Sequence, residues 1–192
     1  MHIACGRGTS KARFDIEPPK HKPTMTEEIF EIVDEDNNII GTAKRSDCHG
    51  NPSLIHRTAH VIVYHPDGRM LLQKRTMNKD VQPGKWDTAV GGHLDPGENF
   101  EQGARREMNE ELGIPLDVPL KHVFDSKIRN DIESENVRIF STIYSGTLKP
   151  DPEEIEKIKF WKINELCLAV KQTPEIFTPN LIKELRTVLS GL

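Results

Sequence analysis

From residue 28 onward, apolar residues come in short runs separated by polar clusters, and the early runs come in pairs. Residues 29–33 and 39–43 flank the polar stretch 34–38, a pattern that predicts a β-hairpin. Residues 59–64 and 70–74 flank His65-Pro66-Asp67-Gly68, whose turn chemistry predicts a second hairpin. The period then changes. Phe100, Ala104, Met108 and Leu112 recur at helical spacing, Asn99 can cap the helix, and Gly113 can end it. Further strands are expected near 118–126, 137–148 and 158–161, and helices over 164–171 and 179–190. Strands on both sides of one strong helix predict an α+β fold, an α/β/α sandwich built on a mixed sheet.

Residues 1–24 differ from the rest: they are polar, broken by proline, and hold five basic and two acidic residues. So little apolar surface cannot offset the entropy of ordering, so a flexible tail is expected ahead of one domain over 25–192. At 35% hydrophobic and 29% charged, with a net charge of −4 and no basic block, the composition argues against a general nucleic-acid binder. No apolar run approaches the ~18 residues of a membrane span, and the amino terminus lacks the apolar core of a secretory signal. Three cysteines without CxxC spacing read as free thiols. A cytoplasmic location is the expectation.

The chemistry concentrates in residues 92–114, GHLDPGENFEQGARREMNEELGI. Residues three and four apart share a helix face, so Glu107, Glu110 and Glu111 form one carboxylate patch, at a cost of about 0.2–0.5 kcal/mol per pair without a partner. A hard divalent cation reverses that cost, because it takes oxygen ligands and shares them with substrate phosphates. Gly103, one turn before Glu107, is expected to leave room for substrate. Glu98 lies outside the helix and can reach Arg106, pinning the loop. Three glutamates alone would read as a solvated acidic face. Gly92, Glu98, Arg106 and Gly113 around them point elsewhere.

The segment matches, at all nine defined positions, the Nudix signature: Gly, five residues, Glu, seven residues, Arg-Glu, an aliphatic, one residue, Glu-Glu, one residue, Gly, an aliphatic. The sequence resembles a Nudix hydrolase. That resemblance implies hydrolysis of a small-molecule diphosphate, usually nucleotide-like, with Mg²⁺ or Mn²⁺, and a homodimer as the expected assembly. It implies Glu107, Glu110 and Glu111 as metal ligands, joined by the carbonyl of Gly91, with Glu107 also orienting or deprotonating the attacking water. Glu98 and Arg106 complete the catalytic set.

The preceding region is similar to type 1 isopentenyl-diphosphate isomerase, a divergent member of the same superfamily, from His49 to Gly113 without a gap. The resemblance places His49, His56 and His93 at its metal-binding histidines, Arg75 and Lys79 at its diphosphate grip, and Glu111 on a magnesium ligand. The isomerase's catalytic cysteine is replaced by Gly91. Isomerisation of an unactivated alkene needs a placed acid and base, and glycine supplies neither, so a hydrolase is the reading and an isomerase the alternative. A non-catalytic binding module is the other alternative, disfavoured by the complete glutamate set. Glu133 and Glu135 fall in an expected polar turn, 131–136, where exposed loop acids are the default and an extra functional carboxylate, which related enzymes take from beyond the signature, is the alternative. Trp86 and Trp161 are expected in the core.

Overall fold

A computed structural model describes residues 27–189; the expected tail at 1–24 lies outside them. Strands β1 (Ile29–Val33) and β2 (Ile39–Lys44) form the first hairpin, followed by a one-turn helix α1 (Arg45–Cys48). Next come β3 (His56–Tyr64), β4 (Met70–Arg75), β5 (Trp86–Thr88) and β6 (Val90–His93). Helix α2 (Phe100–Leu112) leads to β7 (Lys121–Arg129), β8 (Ser134–Ile143) and β9 (Ile155–Trp161). Helices α3 (Ile163–Gln172) and α4 (Pro179–Val188) close the described chain.

Seven strands make one mixed sheet with the spine β5-β4-β3-β8-β7, while β6 pairs with β3 and β9 with β4. The pairing of β3 with β8 is parallel over nine residues, from His56 opposite Glu135 to Tyr64 opposite Ile143. The second hairpin is present, but β3 and β4 are in register only at Tyr64 and Met70. Beyond that turn they part, and β6 takes the place against β3 while β5 and β9 pair with β4. Neither β5 nor β6 was expected. Both are short, and Gly91 and Gly92 give β6 little strand propensity of its own.

Side chains alternate across a strand, so β3 feeds two cores. Ala59, Val61 and Val63 pack with Val90 and with Phe100, Ala104, Met108 and Leu112 of α2. Ile62, with Val137 and Ile139 of β8, packs on the other side with Leu166, Val170, Leu181 and Leu185 of α3 and α4. The result is the expected three-layer α/β/α sandwich. Trp86 and Trp161 meet edge to face in the second core, ring centroids 5.6 Å apart. Among the described residues, no helix is long and apolar enough to cross a membrane.

Helix α2 runs over 100–112 because its ends are chemically specified. The Asn99 side chain accepts from the amides of Glu101 and Gln102, and Gln102 Oε1 accepts from the Asn99 amide at 2.9 Å, a reciprocal capping box. Gly113 ends it in the left-handed region at φ 66°. Replacing Asn99 with Ala should cost about 1 kcal/mol of unfolding free energy, measurable by urea denaturation. Asn99→Asp, which keeps the acceptor, should stay within a few tenths of wild type.

Candidate functional site

Strand β6 divides the site. Gly92 faces α2, and its missing side chain is filled by Glu107: a Cβ at residue 92 would collide with the Glu107 carboxylate. Gly91 faces the opposite way, where a Cβ would stand 3.1 and 3.3 Å from Cδ2 and Nε2 of His60. Gly103 requires a correction. A Cβ there would meet Leu94 at 3.0 Å and Glu98 at 3.3 Å, so the glycine admits the loop that precedes the helix and is not open to substrate.

On the α2 side, Arg106 organises the carboxylates. Its Nε and Nη2 donate to the two oxygens of Glu98, each at 3.0 Å, and Nη2 also donates to the His93 carbonyl at 2.8 Å. Nη1 donates to Glu107 at 2.9 Å and to Glu110 at 3.0 Å. The expected Glu98–Arg106 pair is therefore present, and one guanidinium ties loop, strand and helix together. Glu111 is separate: it is buried and accepts from Gln73 of β4 at 3.1 Å. Burial, partly offset by Arg106, raises the Glu107 carboxyl to about 7. Burial, and then the charges of Glu107 and Glu154, push Glu111 well above the ordinary range.

On the other face, His49, His56 and His93 converge, one ligand atom from each lying within 4.8 Å of the others. All three Nε2 atoms are buried without a hydrogen-bond partner. The opposite nitrogens are engaged: His49 Nδ1 with Asp80 at 3.1 Å, His56 Nδ1 with the Leu54 carbonyl at 3.2 Å, and His93 Nδ1 with Arg45 at 3.4 Å. Carboxylate and carbonyl partners on Nδ1 leave the Nε2 lone pairs of His49 and His56 turned inward, the usual outer support of a metal-binding histidine. Burial keeps His49 and His93 below their ordinary pKa, in the neutral form a metal requires.

Glu135 joins this cluster, which corrects the exposed-turn expectation. It lies on β8, is buried, and places Oε1 3.5 Å from Nε2 of both His56 and His93. Glu133 precedes the strand, half-buried, and is raised to about 7 by burial and by the charge of Glu135. Asp80, which supports His49 from 31 residues away, carries no local sequence signal.

Arg75 and Lys79 are both engaged. Arg75 donates to the Val81 carbonyl at 3.1 Å and to Asp87 at 3.4 Å, while Lys79 pairs with Glu154. His60 contacts Glu184 of α4 through Nδ1. Burial opposes its charge, yet Glu184, with Glu135 and Asp87 beyond, raises its pKa to about 9.

The raised Glu107 pKa sets a pH dependence for the metal-free protein. Where the folded pKa exceeds the unfolded one, the folded state binds more protons, so stability is greatest below about 4.5 and falls as pH rises through about 7. Metal-free Glu107→Gln should therefore melt above wild type at pH 8, with the gap closing by pH 5. A constant gap by calorimetry would place the burial cost elsewhere.

Known proteins agree with this architecture. The chain matches the NUDIX domain over residues 54–181. An uncharacterised Nudix hydrolase of Yersinia pestis is 35% identical over 170 residues, covering 86% of this chain and 88% of that one. An isopentenyl-diphosphate Δ-isomerase of Agromyces mediolanus is 31% identical over 166 residues, covering 84% and 81% respectively. A crystal structure from Deinococcus radiodurans shares the fold with a TM-score of 0.72 at 20% identity, covering 84% of this chain and 99% of that one. Carrying the domain over two thirds of its length and the full set of signature residues around α2, the chain belongs to the Nudix family.

Proposed function

We propose that the protein is a divalent-metal-dependent hydrolase that cleaves the diphosphate bond of a nucleotide-like small molecule. The observation that carries this reading is the pair Glu107 and Glu111, one half-buried and one buried on the same helix, with too few donors to compensate them. Buried charge of that kind is costly until a cation shares it. Glu107, Glu110, Glu111 and the Gly91 carbonyl would hold Mg²⁺ or Mn²⁺, which supplies positive charge against the phosphates and makes water acidic enough to attack at neutral pH. Glu107, beside that water, would orient it or accept its proton. Arg106 keeps Glu107 and Glu98 in place, and Arg75 and Lys79 would turn from Asp87 and Glu154 to the diphosphate.

Gly91 argues against the isomerase alternative, since it supplies no acid or base where the isomerase pattern has cysteine. The intact carboxylates argue against a binding module. The histidine cluster supports a second metal site: His49 and His56 present buried Nε2 lone pairs, His93 Nε2 would give up its proton to a metal, and Glu135 adds one carboxylate, a set suited to Zn²⁺ or Mn²⁺.

Two measurements follow. Turnover of a panel of nucleoside diphosphates, nucleotide sugars, dinucleotides and prenyl diphosphates with Mg²⁺ should show phosphate-bond cleavage. Glu107→Gln and Glu111→Gln should each lose more than the roughly 10–100-fold expected of an outer-shell residue, and Glu98→Gln should lose less than either. Near wild-type turnover in Glu111→Gln would remove it from the metal set. Elemental analysis should find about one equivalent of transition metal per chain, absent in His56→Ala. Protein that cannot be loaded with Zn²⁺ or Mn²⁺ would exclude the second site.

A further inference from the structure

The sheet face that carries the histidine cluster also holds a polar group that the proposed chemistry leaves unused. His60 of β3, Thr88 of β5 and Glu184 of α4 meet there. His60 Nδ1 lies 2.5 Å from Glu184 Oε1, and Thr88 Oγ1 donates to Glu184 Oε2 at 2.6 Å. Both carboxylate oxygens are taken, and Nδ1 carries the proton because a carboxylate can only accept. The ring is thereby fixed, with Nε2 left over. Among the described residues Nε2 has no hydrogen-bond partner, and the side chain keeps 12% exposure.

This edge lies over Gly91, where a Cβ would crowd it at 3.1 and 3.3 Å. Stability does not account for the arrangement. A buried ion pair exchanged for apolar residues of similar size is often neutral or more stable. The neighbourhood is acidic, with Asp87 and Glu135 acting on His60 and Glu133 beside Glu135. Arg75, which would turn to the diphosphate, lies 3.4 Å from Asp87 at the border of this group, so the phosphates are assigned by the cation that Glu107, Glu110 and Glu111 would hold.

We propose that His60 is a specificity-determining residue, with Glu184 as its positioning residue. Its Nε2 hydrogen-bonds a polar atom of the moiety linked to the diphosphate, so a sugar or base is accepted and a hydrocarbon chain is refused. Whichever proton state Nε2 holds, contact with a hydrocarbon leaves it unpaired, which costs more than a missing bond. Sites built to bond a polar group reject analogues lacking it by about 10⁴-fold or more. The inference rests on the hydrolase reading only for the diphosphate itself.

Binding of methylene-bisphosphonate analogues tests it without turnover. With Mg²⁺ present, calorimetry should show the wild type binding the analogue of a nucleoside diphosphate sugar at least a hundredfold more tightly than that of isopentenyl diphosphate. The triple variant His60→Leu/Thr88→Val/Glu184→Leu removes all three polar groups together and leaves no orphaned charge. It should keep its melting temperature while narrowing that preference tenfold or more. Glu184→Gln, nearly isosteric, should narrow it less, and carries the same comparison if the triple variant does not fold. An unchanged preference in the folded variants, a wild-type preference for the prenyl analogue, or binding of neither would overturn the proposal. Cleavage of the parent compounds is read separately: selective binding without any cleavage would sink the hydrolase reading and leave this one standing.

Discussion

The site depends on the alternation of one four-residue strand. In β6, Gly92 points to α2 while Gly91 and His93 point to the face of α3 and α4, because successive residues of a strand must. Each glycine yields its volume to a neighbour, Glu107 of helix α2 on one side and His60 of the adjacent strand β3 on the other. Two separate groups of titratable side chains thus sit back to back across a single sheet thickness. The strand can be this poor in side chains because its shape comes from outside: Thr58 to Val61 of β3 pair with it, and Arg106 donates to its His93 carbonyl.

The two faces handle buried charge differently. On the helix side one guanidinium serves Glu98, Glu107, Glu110 and a carbonyl, which leaves Glu111 with only the Gln73 amide. That deficit of positive charge is what a cation would fill. On the other side the deficit is of donors and protons: three imidazole nitrogens face one another with one carboxylate among them. The same domain therefore offers an oxygen-rich setting suited to a hard ion and a nitrogen-rich setting suited to a softer one.

Helix α2 was legible in the sequence to the residue, because caps and apolar stripe are local chemistry: Asn99 and Gly113 act within a few residues of themselves. The Glu98–Arg106 pair was legible for the same reason, whereas the expected patch is not whole: Arg106 gathers Glu107 and Glu110, and Glu111 turns to Gln73 of β4. Glu135 was not. It became a buried strand residue through the parallel pairing of β8 with β3, which sets it opposite His56, and no property of residues 131–136 announces that partner. Gly103 misled because a glycine signals close approach without saying what approaches; here it is Leu94 and Glu98. Glu184 reaches His60 across 124 residues of chain, beyond any periodicity argument.

That separation has a kinetic side. Linking β3 to α4 closes a loop spanning 124 residues, and the histidine cluster requires His49, His93 and Glu135 to arrive together. Loop-closure entropy must be spent before such contacts return anything, so contacts of this separation slow folding. The helix and its glutamates need no such closure. During synthesis on the ribosome, residues 92–114 can coil while α4 is still untranslated, but the His60–Thr88–Glu184 group cannot form until α4 has emerged. A chain cut short before Glu184 would keep the signature and lose that group.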